Sequence, residues 1–352
     1  MRIAYIGPGY GTSLHRAQAL KRLGHDVCIV DPWAWLPKAR WVGPWLHHAG
    51  GVGVGLGIDG RLKGAVVAAN PDLIWVDQGP FLGRKLIAAL RQLGAPIVNY
   101  TIDDPFGGRD GRRFAAYFRA VPEYDLLVVM REQNISEACA GGARKALRVW
   151  MTADELAHAP RELTPEQKTK YASEVAFVGT WMPERGPFLA EIIRQGVPLS
   201  IWGNRWQKAP EWETLAPCWR GPSLDTDDDY AAAILGAKIN LGLLSKGNRD
   251  LHTTRSMEIP ALGGLFCAER THEHLELYEE GKEAVFWADA GEGARQCLTL
   301  LGDEIRRQAI AAAGHERAQR NGYYNEKVLL QILDAALSPK SPNHTRAVGT
   351  GI

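Results

Sequence analysis

The sequence predicts an α/β protein with two doubly wound parallel sheets. Short apolar runs alternate with amphipathic helical patterns, which is typical of a parallel sheet covered on both faces. The alternation stops at a polar, proline-containing segment at 152–172, read as a hinge, and then restarts. A chain of 352 residues is also long enough for two domains. We therefore expect domains at 1–165 and 166–315, and a flexible tail without core-forming pattern at 338–352.

The first half begins with a buried strand at Ile3–Ile6, followed by a glycine turn and a helix at about Thr12–Leu23. Further apolar runs predict strands at Val27–Val30, Leu73–Val76, Ile97–Tyr100, Leu126–Met130 and Leu147–Trp150. Helical patterns separate them near Gly83–Leu93, Arg109–Arg119 and Glu132–Ala140. The Trp-rich segment at 32–45 is predicted to be a mobile loop. The Gly-rich segment at 50–57 is either a flexible loop or a helix contact relieved by glycine.

The second half repeats the plan of strand, glycine turn and helix. Its predicted strands are Val175–Val178, Leu199–Trp202, Ile239–Leu244, Leu265–Cys267 and Val285–Trp287. Its predicted helices are Glu184–Gln195, Asp227–Leu235 and Thr253–Leu262, with helical sequence continuing to about Leu337. The acids at 225–229 imitate a metal-binding D-x-D, but they directly precede a predicted helix, so we interpret them as a cap and predict no metal site.

Composition excludes several functional classes. Lys and Arg total 41 against 40 Asp and Glu, whereas a protein that binds nucleic acid through phosphates usually has a basic surplus. No apolar run is long enough to span a membrane. The five cysteines include no C-x-x-C pair, which argues against a zinc module and for reduced thiols. The opening residues lack the layout of a signal peptide, so we expect a cytoplasmic protein.

The first glycine turn imitates a dinucleotide-binding motif. Gly7, Gly9 and Gly11 follow a strand and precede a helix, and Asp31 ends the next strand. The motif requires G-x-G-x-x-G, however, and here the third glycine comes one residue early. We therefore interpret the segment as a tight strand-to-helix turn and predict no cofactor.

Three loops of the second half carry a stronger signal, because each follows the C-terminal end of a predicted strand. They are Gly179–Gly186, Gly203–Trp206 and Lys246–Glu258. Backbone N–H groups at a helix N-terminus suit phosphate, and Arg185 can add a charged contact. Asp250 and Glu258, separated by seven residues, can accept hydrogen bonds from sugar hydroxyls. Together the three loops predict a ligand crevice.

At these residues the sequence resembles glycosyltransferases of the two-domain GT-B fold, in which two Rossmann-like domains face each other across a cleft. More closely, it is similar to the group-1 glycosyltransferase-like proteins related to the spore maturation protein CgeB. The motifs that carry the resemblance are FVGTWMPERGPFL, IWGNRW and NRDLHTTRSMEIPALGG. It implies that the helices at 316–337 pack back on the N-terminal domain, and that the second domain binds a nucleotide-diphosphate sugar.

The resemblance also assigns roles in the E-x7-E motif of retaining members, which Asp250-x7-Glu258 matches with Asp first. It implies that Glu258 binds the donor ribose and that Asp250 lies near the transferred sugar. The family pattern G-R-x-x-x-E-K-G normally supplies two cations to the diphosphate. Arg185 keeps the second, but Thr180 replaces the first, which leaves open whether Arg249 or Arg255 supplies the missing charge. The full predicted donor set is Gly179, Thr180, Arg185, Gly203, Asn204, Arg205, Arg249, His252, Thr253, Thr254, Arg255 and Glu258.

The N-terminal domain is then left to hold the acceptor. Asp103 and Asp104 lie at the C-terminal end of a predicted strand and are fixed by a proline, so either is a candidate base, with a helix-capping turn as the alternative. The resemblance also makes His15, one turn past the glycine loop, a candidate base, with a histidine packed on a helix face at the domain interface as the alternative. The predicted acceptor contacts are Gly9, Tyr10, Trp33 and Trp35, where the tryptophans are sugar-facing, lipid-facing or packed on the sheet.

The predicted function is that of a glycosyltransferase, which moves a sugar from a nucleotide-diphosphate sugar to an unidentified acceptor hydroxyl on a glycan, protein, lipid or small molecule. The resemblance implies that the transfer needs no metal and retains the configuration of the sugar. A sugar-nucleotide epimerase on the same fold and a non-catalytic binding protein are the alternatives. A peripheral membrane contact through the Trp-rich segment is left open.

Overall fold

A computed structural model describes residues 1–50 and 53–338, except the side chain of Leu56. The strands are β1 Arg2–Ile6, β2 Asp26–Val30, β3 Leu73–Asp77, β4 Ile97–Tyr100, β5 Leu126–Val129, β6 Ala146–Arg148, β7 Ser173–Val178, β8 Leu199–Trp202, β9 Trp219–Gly221, β10 Ala237–Gly242, β11 Phe266–Glu269 and β12 Val285–Trp287. The helices are α1 Gly11–Arg22, α2 Val42–Ala49, α3 Val54–Ala69, α4 Arg84–Arg91, α5 Ala115–Ala120, α6 Gln133–Ala140, α7 Pro165–Tyr171, α8 Arg185–Arg194, α9 Trp212–Leu215, α10 Asp227–Leu235, α11 Thr254–Leu262, α12 His272–Leu277, α13 Ala290–Leu301, α14 Glu304–Asn321 and α15 Asn325–Leu337.

The chain forms two compact units. The first comprises Met1–Trp150, Gly247–Arg249 and the chain from Asn325 on, and the second comprises Met151–Lys246 and Asp250–Tyr324. The predicted hinge at 152–172 therefore lies within the second unit. Helix α14 belongs to the second unit, whereas α15 belongs to the first and packs on α1. From residue 339, the predicted tail lies outside the described residues.

The first unit is built on a six-stranded parallel sheet in the order β2-β1-β3-β4-β5-β6. Four of its strands, β1, β3, β4 and β5, are almost wholly buried apolar runs, as expected when helices cover both faces. The strand order reverses between β1 and β3. Here Asp77, at the end of β3, is fully buried and accepts hydrogen bonds from Arg16 Nε at 2.7 Å and Tyr5 Oη at 2.6 Å.

The second unit has a six-stranded parallel sheet in the order β12-β11-β10-β7-β8-β9. Its strand order reverses between β7 and β10. In open α/β sheets this position is the usual ligand site. The two parallel sheets confirm the predicted α/β class.

Several predicted elements differ in the structure. The helix predicted at Arg109–Arg119 is wrong over its first half, because Gly108 and Gly111 adopt φ of 76° and 54° and turn the chain, so that the α-helix begins only at Ala115. The strand predicted at Leu147–Trp150 ends at Arg148. Strand β9 was not predicted, because Trp219, Arg220 and Gly221 do not form an apolar run.

The Trp-rich segment, predicted to be a loop, and the Gly-rich segment, predicted to be a loop or a helix contact, are both partly helical. Residues Trp33–Trp35 form a 3-10 turn and the Trp-rich segment then enters α2. Helix α3 runs through part of the Gly-rich segment, of which Gly51 and Val52 lie outside the described residues. Its buried residues recur every four positions, at Val54, Ile58, Leu62 and Val66, which is a helical face that the intervening glycines obscured. None of the described helices combines the length and apolarity that a bilayer crossing requires.

Candidate functional site

The loops after β7 and β10 form the floor of the candidate site in the second unit. Arg185, at the start of α8, reaches from one loop to the other. Its Nη1 donates to the carbonyl oxygen of Thr180 at 2.8 Å, and its Nη2 donates to that of Leu243 at 3.1 Å. Its Nε donates to the carbonyl oxygen of Leu244 at 3.4 Å. A positive charge is therefore fixed at the point where the strand order reverses.

The loop after β8 lies against the loop after β7. Gly203 has φ of 151°, and a Cβ there would lie 1.9 Å from the carbonyl oxygen of Gly179. Trp206, fully buried, donates its indole N–H to the same oxygen at 3.0 Å. Trp181 N donates to the carbonyl oxygen of Asn204 at 2.9 Å. The glycine is thus required for the backbone approach, while Arg205, in the left-handed region with φ of 71°, is exposed.

Helix α11 begins beside these loops, with Thr253 in an extended conformation at its N-cap. The N–H of Thr253 donates to Ser256 Oγ at 3.0 Å, and Ser256 Oγ lies 2.8 Å from His274 Nε2. His274 Nδ1 is 2.6 Å from the carbonyl oxygen of Glu269, which accepts a hydrogen bond from it, so Nε2 is the ring acceptor. Burial lowers the pKa of His274 to about 4, and the imidazole is neutral. A buried histidine therefore fixes the helix start whose N–H groups the sequence assigns to phosphate.

Arg255 and Glu258 form an ion pair on the first turn of α11. Arg255 Nη1 lies 2.5 Å from Glu258 Oε2, and Arg255 Nε donates to the carbonyl oxygen of Val178, at the end of β7, at 3.2 Å. Glu258 also accepts from Tyr230 Oη at 2.7 Å, and His158 Nε2 lies 3.7 Å from its second oxygen. The Arg255 side chain is 29% exposed and that of Glu258 is 2% exposed. The cation is thus accessible and the carboxylate is enclosed.

The environment keeps this pair charged. Burial by itself would raise the pKa of Glu258, but Arg255, His158 and the Tyr230 hydroxyl outweigh it, and the net pKa is lowered. Burial likewise opposes the charge on Arg255, while Tyr230 and Glu258 raise its pKa. The guanidinium also lies 4.8 Å from the centroid of the Tyr230 ring.

Sequence reasoning missed His158, Tyr230 and Glu273. His158 falls in the predicted hinge, where its Nδ1 accepts from the N–H of Asp154 at 2.8 Å, which leaves Nε2 to face Glu258. Glu273 Oε2 lies 2.5 Å from Nδ1 of the predicted donor contact His252, whose Nε2 accepts from the N–H of Met151 at 3.1 Å. No local pattern links these residues, since each pair is distant in sequence or sits outside a recognisable motif.

Asp250 is the other acid of the predicted motif. It is buried, and its Oδ2 accepts from the N–H of Ser245 at 3.3 Å, while its own N–H donates to the Ser245 carbonyl oxygen at 3.2 Å. These two hydrogen bonds close the loop that follows β10. The acids at 225–229 flank the start of α10, where Thr226 Oγ1 accepts from the N–H of Asp229.

Arg249 belongs to the first unit and has φ of 52°. Its Nε and Nη2 donate to Asp104 at 2.6 and 3.0 Å, and its Nη1 and Nη2 donate to Glu137 at 2.8 and 2.9 Å. Asp104 also accepts from the N–H of Phe106 and from Asn134 Nδ2. The hydrogen bonds from Arg249 lower the pKa of Glu137. Asp104 therefore accepts four hydrogen bonds with its side chain 0% exposed, which commits this carboxylate to local structure.

Asp103 is in a different position. Its Oδ2 accepts from Arg113 Nη2 at 3.0 Å, and its side chain remains 25% exposed, whereas that of Asp104 is 0% exposed. His15 is buried on α1. Of the three candidate bases, Asp103 is therefore the one whose side chain is substantially exposed to solvent.

The predicted acceptor contacts are held by Asp31 and by packing. Asp31 Oδ2 accepts from the N–H of Gly9 at 3.1 Å, and its Oδ1 accepts from that of Trp33 at 2.9 Å. Trp33 packs edge-on to Phe81, with ring centroids 4.9 Å apart. The Trp35 ring lies 4.3 Å from the Arg61 guanidinium carbon, and Tyr10 is exposed. Trp33 and Trp35 are partly buried and pack against the hydrophobic core of the first unit. This matches the alternative in which the tryptophans pack on the sheet.

Comparison with known proteins bears on the second unit by sequence and on both units by structure. Residues 185–334 match a family model described as glycosyl transferase-like, a stretch that contains Arg185, Asp250 and the whole of α11. No curated protein sequence matches the chain significantly.

Solved structures resemble the chain over nearly its full length. HepE from Anabaena, solved with UDP-glucose, is 13% identical, with 96% of this chain and 99% of that chain covered and a TM-score of 0.65. Sucrose-phosphate synthase from Thermosynechococcus elongatus is 12% identical, with 95% and 97% covered and a TM-score of 0.65. A putative UDP-N-acetylglucosamine 2-epimerase from Listeria monocytogenes is 11% identical, with 95% of each chain covered and a TM-score of 0.58. Identities this low compare folds alone, and the fold of this chain is therefore that of the GT-B glycosyltransferases.

Proposed function

We propose that this protein is a nucleotide-sugar-dependent glycosyltransferase whose donor site lies on the second unit. The observation that carries the proposal is the convergence, at the reversal of strand order, of a partly exposed cation on the first turn of α11, a second cation between two loops, and a helix N-terminus. Such a set matches a diphosphate, because backbone N–H groups and guanidinium groups both stabilise its charge. The match of residues 185–334 to a glycosyl transferase-like model supports this reading.

Arg255 supplies the charge that Thr180 lacks. The sequence left Arg249 and Arg255 as alternatives. The two side chains are equally exposed, at 30% and 29%, but Arg249 is held by two carboxylates of the first unit, whereas Arg255 lies at the end of β7, next to the Val178 carbonyl oxygen. Arg185 provides the second cation of the proposed diphosphate site. The two guanidiniums and the α11 N-terminus do the work that a metal ion does in other glycosyltransferases, which is why we propose metal-independent transfer.

Glu258 and Asp250 remain the proposed ribose and sugar contacts. A carboxylate offers about four acceptor positions, and the carboxylate of Glu258 already takes hydrogen bonds from Tyr230 and Arg255. Two acceptor positions remain, but the Glu258 side chain is only 2% exposed. A ribose hydroxyl can therefore bind to Glu258 only if the enclosing side chains of Tyr230 and Arg255 move. Without that movement, Glu258 acts by positioning Arg255 for the diphosphate.

In the transfer step, the bond between the anomeric carbon and the diphosphate oxygen breaks, and a bond to the acceptor oxygen forms. The acceptor hydroxyl loses its proton in this step. Among Asp103, Asp104 and His15, we assign the proton to Asp103, because its carboxylate alone among the three is substantially exposed. Retention of configuration and the closer kinship with CgeB-like proteins belong to the same proposal.

The test combines donor binding with product analysis. Thermal unfolding with UDP, GDP and dTDP identifies the nucleobase that the donor site accepts. Incubation with the matching nucleotide sugar then shows whether the free nucleotide is released. We expect a stabilising shift with at least one nucleoside diphosphate and release that depends on an added acceptor. Conversion of the nucleotide sugar into an epimer without an acceptor would favour the epimerase instead. No shift with any nucleotide would contradict the donor site.

A further inference from the structure

A cavity of about 230 Å³ lies in the first unit, where the Trp-rich segment meets the loops after β3 and β4. Its apolar wall is made by Trp33, Leu46, Pro80 and Phe81, and its polar side chains are His47 and Arg113. For scale, an engineered apolar cavity of about 150 Å³ accommodates benzene. The space is thus suited to a single ring with a small substituent, and it is small compared with the pockets of drug-sized ligands.

The chemistry of the lining discriminates between ligand classes. Two of the five N–H donors of Arg113 are already used, because Nη1 donates to Asp110 at 2.7 Å and Nη2 donates to Asp103 at 3.0 Å. His47 is the other polar side chain of the lining, so the lining offers hydrogen bonds from two side chains. A monosaccharide would bury several hydroxyl groups against an apolar wall, and each buried hydroxyl without a partner costs about 1–3 kcal/mol.

An aromatic ring meets no such cost. Trp33 and Phe81 already lie edge to face, with centroids 4.9 Å apart, and a third ring beside them extends an arrangement that aromatic side chains favour. The Arg113 guanidinium lies 4.9 Å from the centroid of the Phe114 ring, so cation–ring contact is already present at the cavity edge.

The cavity also adjoins the proposed base. Arg113 lines it and donates to Asp103 Oδ2, so an occupant that contacts Arg113 lies one side chain away from that carboxylate. We propose that this cavity binds the acceptor and that the acceptor is a small phenol or other aryl alcohol, not a sugar. That the ligand serves as the acceptor rests on the proposed function, whereas the chemical class of the ligand follows from the cavity alone.

A filling variant tests the inference without removing any core side chain. Gly43 lines the cavity on α2, and a Cβ there meets nothing within 4 Å, so Gly43→Leu places its side chain in open space. Gly60, on α3, is also helical, exposed and open, and it does not line the cavity, so Gly60→Leu is the matched control. Gly60→Leu replaces a glycine inside a helix, which favours the helix by about 0.5–1 kcal/mol. Gly43 precedes Pro44, which disfavours helical backbone for a residue with a Cβ, so thermal unfolding without ligand establishes that Gly43→Leu is folded before it is titrated.

The probe is 4-fluorophenol, followed by ¹⁹F NMR line broadening, with methyl α-glucoside as the sugar probe and UDP as the donor-site probe. We expect the full chain to bind 4-fluorophenol with a Kd on the order of 1 mM. Gly43→Leu should weaken it at least tenfold, and Gly60→Leu should leave it unchanged. Absence of 4-fluorophenol binding, or equal binding by Gly43→Leu, overturns the inference, as does methyl α-glucoside binding that only Gly43→Leu removes. UDP affinity, or that for GDP or dTDP where the parent protein binds one of these instead, should be the same in all three proteins. Absence of binding by UDP, GDP and dTDP in all three would contradict the proposed donor site while leaving the cavity result intact.

Discussion

The contrast between Arg249 and Arg255 provides the sharpest test of the site. Both arginines follow the loop after β10, and the sequence offered either as the missing phosphate ligand. The structure separates them, because Arg249 donates to two carboxylates of the first unit and Arg255 lies beside β7 in the second. Replacing each with methionine keeps most of the side-chain length while removing the charge.

Arg249→Met should affect stability. Asp104, whose side chain is 0% exposed, loses two of its hydrogen bonds, and Glu137 loses the cation that lowers its pKa. Breaking a buried ion pair costs about 3–5 kcal/mol. Because the Arg249 side chain is 30% exposed, we reduce this to about 2–3 kcal/mol, which corresponds to a fall of roughly 5–10 °C in Tm.

Arg255→Met should affect donor binding. Loss of a charged hydrogen bond to the diphosphate costs about 1.5–3 kcal/mol, which is roughly a ten- to hundred-fold loss of affinity. The substitution also strands the buried Glu258 carboxylate, so the double variant Arg255→Met, Glu258→Gln removes that charge as well. The double variant should recover stability but not nucleotide affinity.

Isothermal titration with the nucleoside diphosphate gives the affinities, and thermal unfolding without ligand gives the stabilities. We expect Arg249→Met to bind the nucleotide as the parent protein does, once it is shown to be folded at the titration temperature. If Arg249→Met lost affinity as strongly as Arg255→Met, the assignment of the phosphate cation would be refuted. Recovery of affinity in the double variant would show that Glu258, not Arg255, controls binding.

Three further predictions concern individual residues. Asp103→Asn should lower sugar transfer by about 10²–10⁴-fold at nearly unchanged Tm, whereas Asp104→Asn should mainly lower Tm. Assays of product formation and thermal unfolding distinguish these two results. Full activity of Asp103→Asn would exclude Asp103 as the base. The pKa of His274 is about 4, below its ordinary 6.5, so the unfolded chain binds more protons between these values and stability rises with pH there. Between pH 7 and pH 5 wild type should lose about 2 kcal/mol more than His274→Gln in urea unfolding, and an equal loss in both would contradict the buried neutral imidazole. Gly203→Ala should destabilise the second unit by several kcal/mol, because its Cβ would overlap the carbonyl oxygen of Gly179. The matched control Gly60→Ala should be neutral or stabilising, and circular dichroism melting measures both. An unchanged Tm for Gly203→Ala would contradict the close approach of the two loops.

The local signals of the sequence were sufficient for the described strands except β9, and they also led to the candidate site on the second sheet. Buried apolar runs such as Ile97–Tyr100 and Leu199–Trp202 are strands in the structure within a residue or so of their predicted bounds, because a short apolar run between turn residues has few other ways to be buried. Loop chemistry was likewise readable, since Arg185 and α11 both follow strand ends. Helix α3 was missed because its glycines lower helix propensity, and packing of its four buried residues against the core overrides that propensity.

Tertiary structure alone decided which charged side chains are exposed and which are enclosed by partners. The sequence alone determined that two acids, two arginines and several histidines stand near strand ends, but their ionic partners are up to 145 positions away, as for Arg249 and Asp104. Which of two adjacent aspartates is enclosed depends on Asn134 and Arg249, which no local pattern connects to them. The exposure of Arg255 and the enclosure of Glu258 follow from Tyr230 and His158 in the same way. Side-chain type is a local property of the chain, whereas access to solvent and the pairing of charges are set by contacts between segments that only folding brings together.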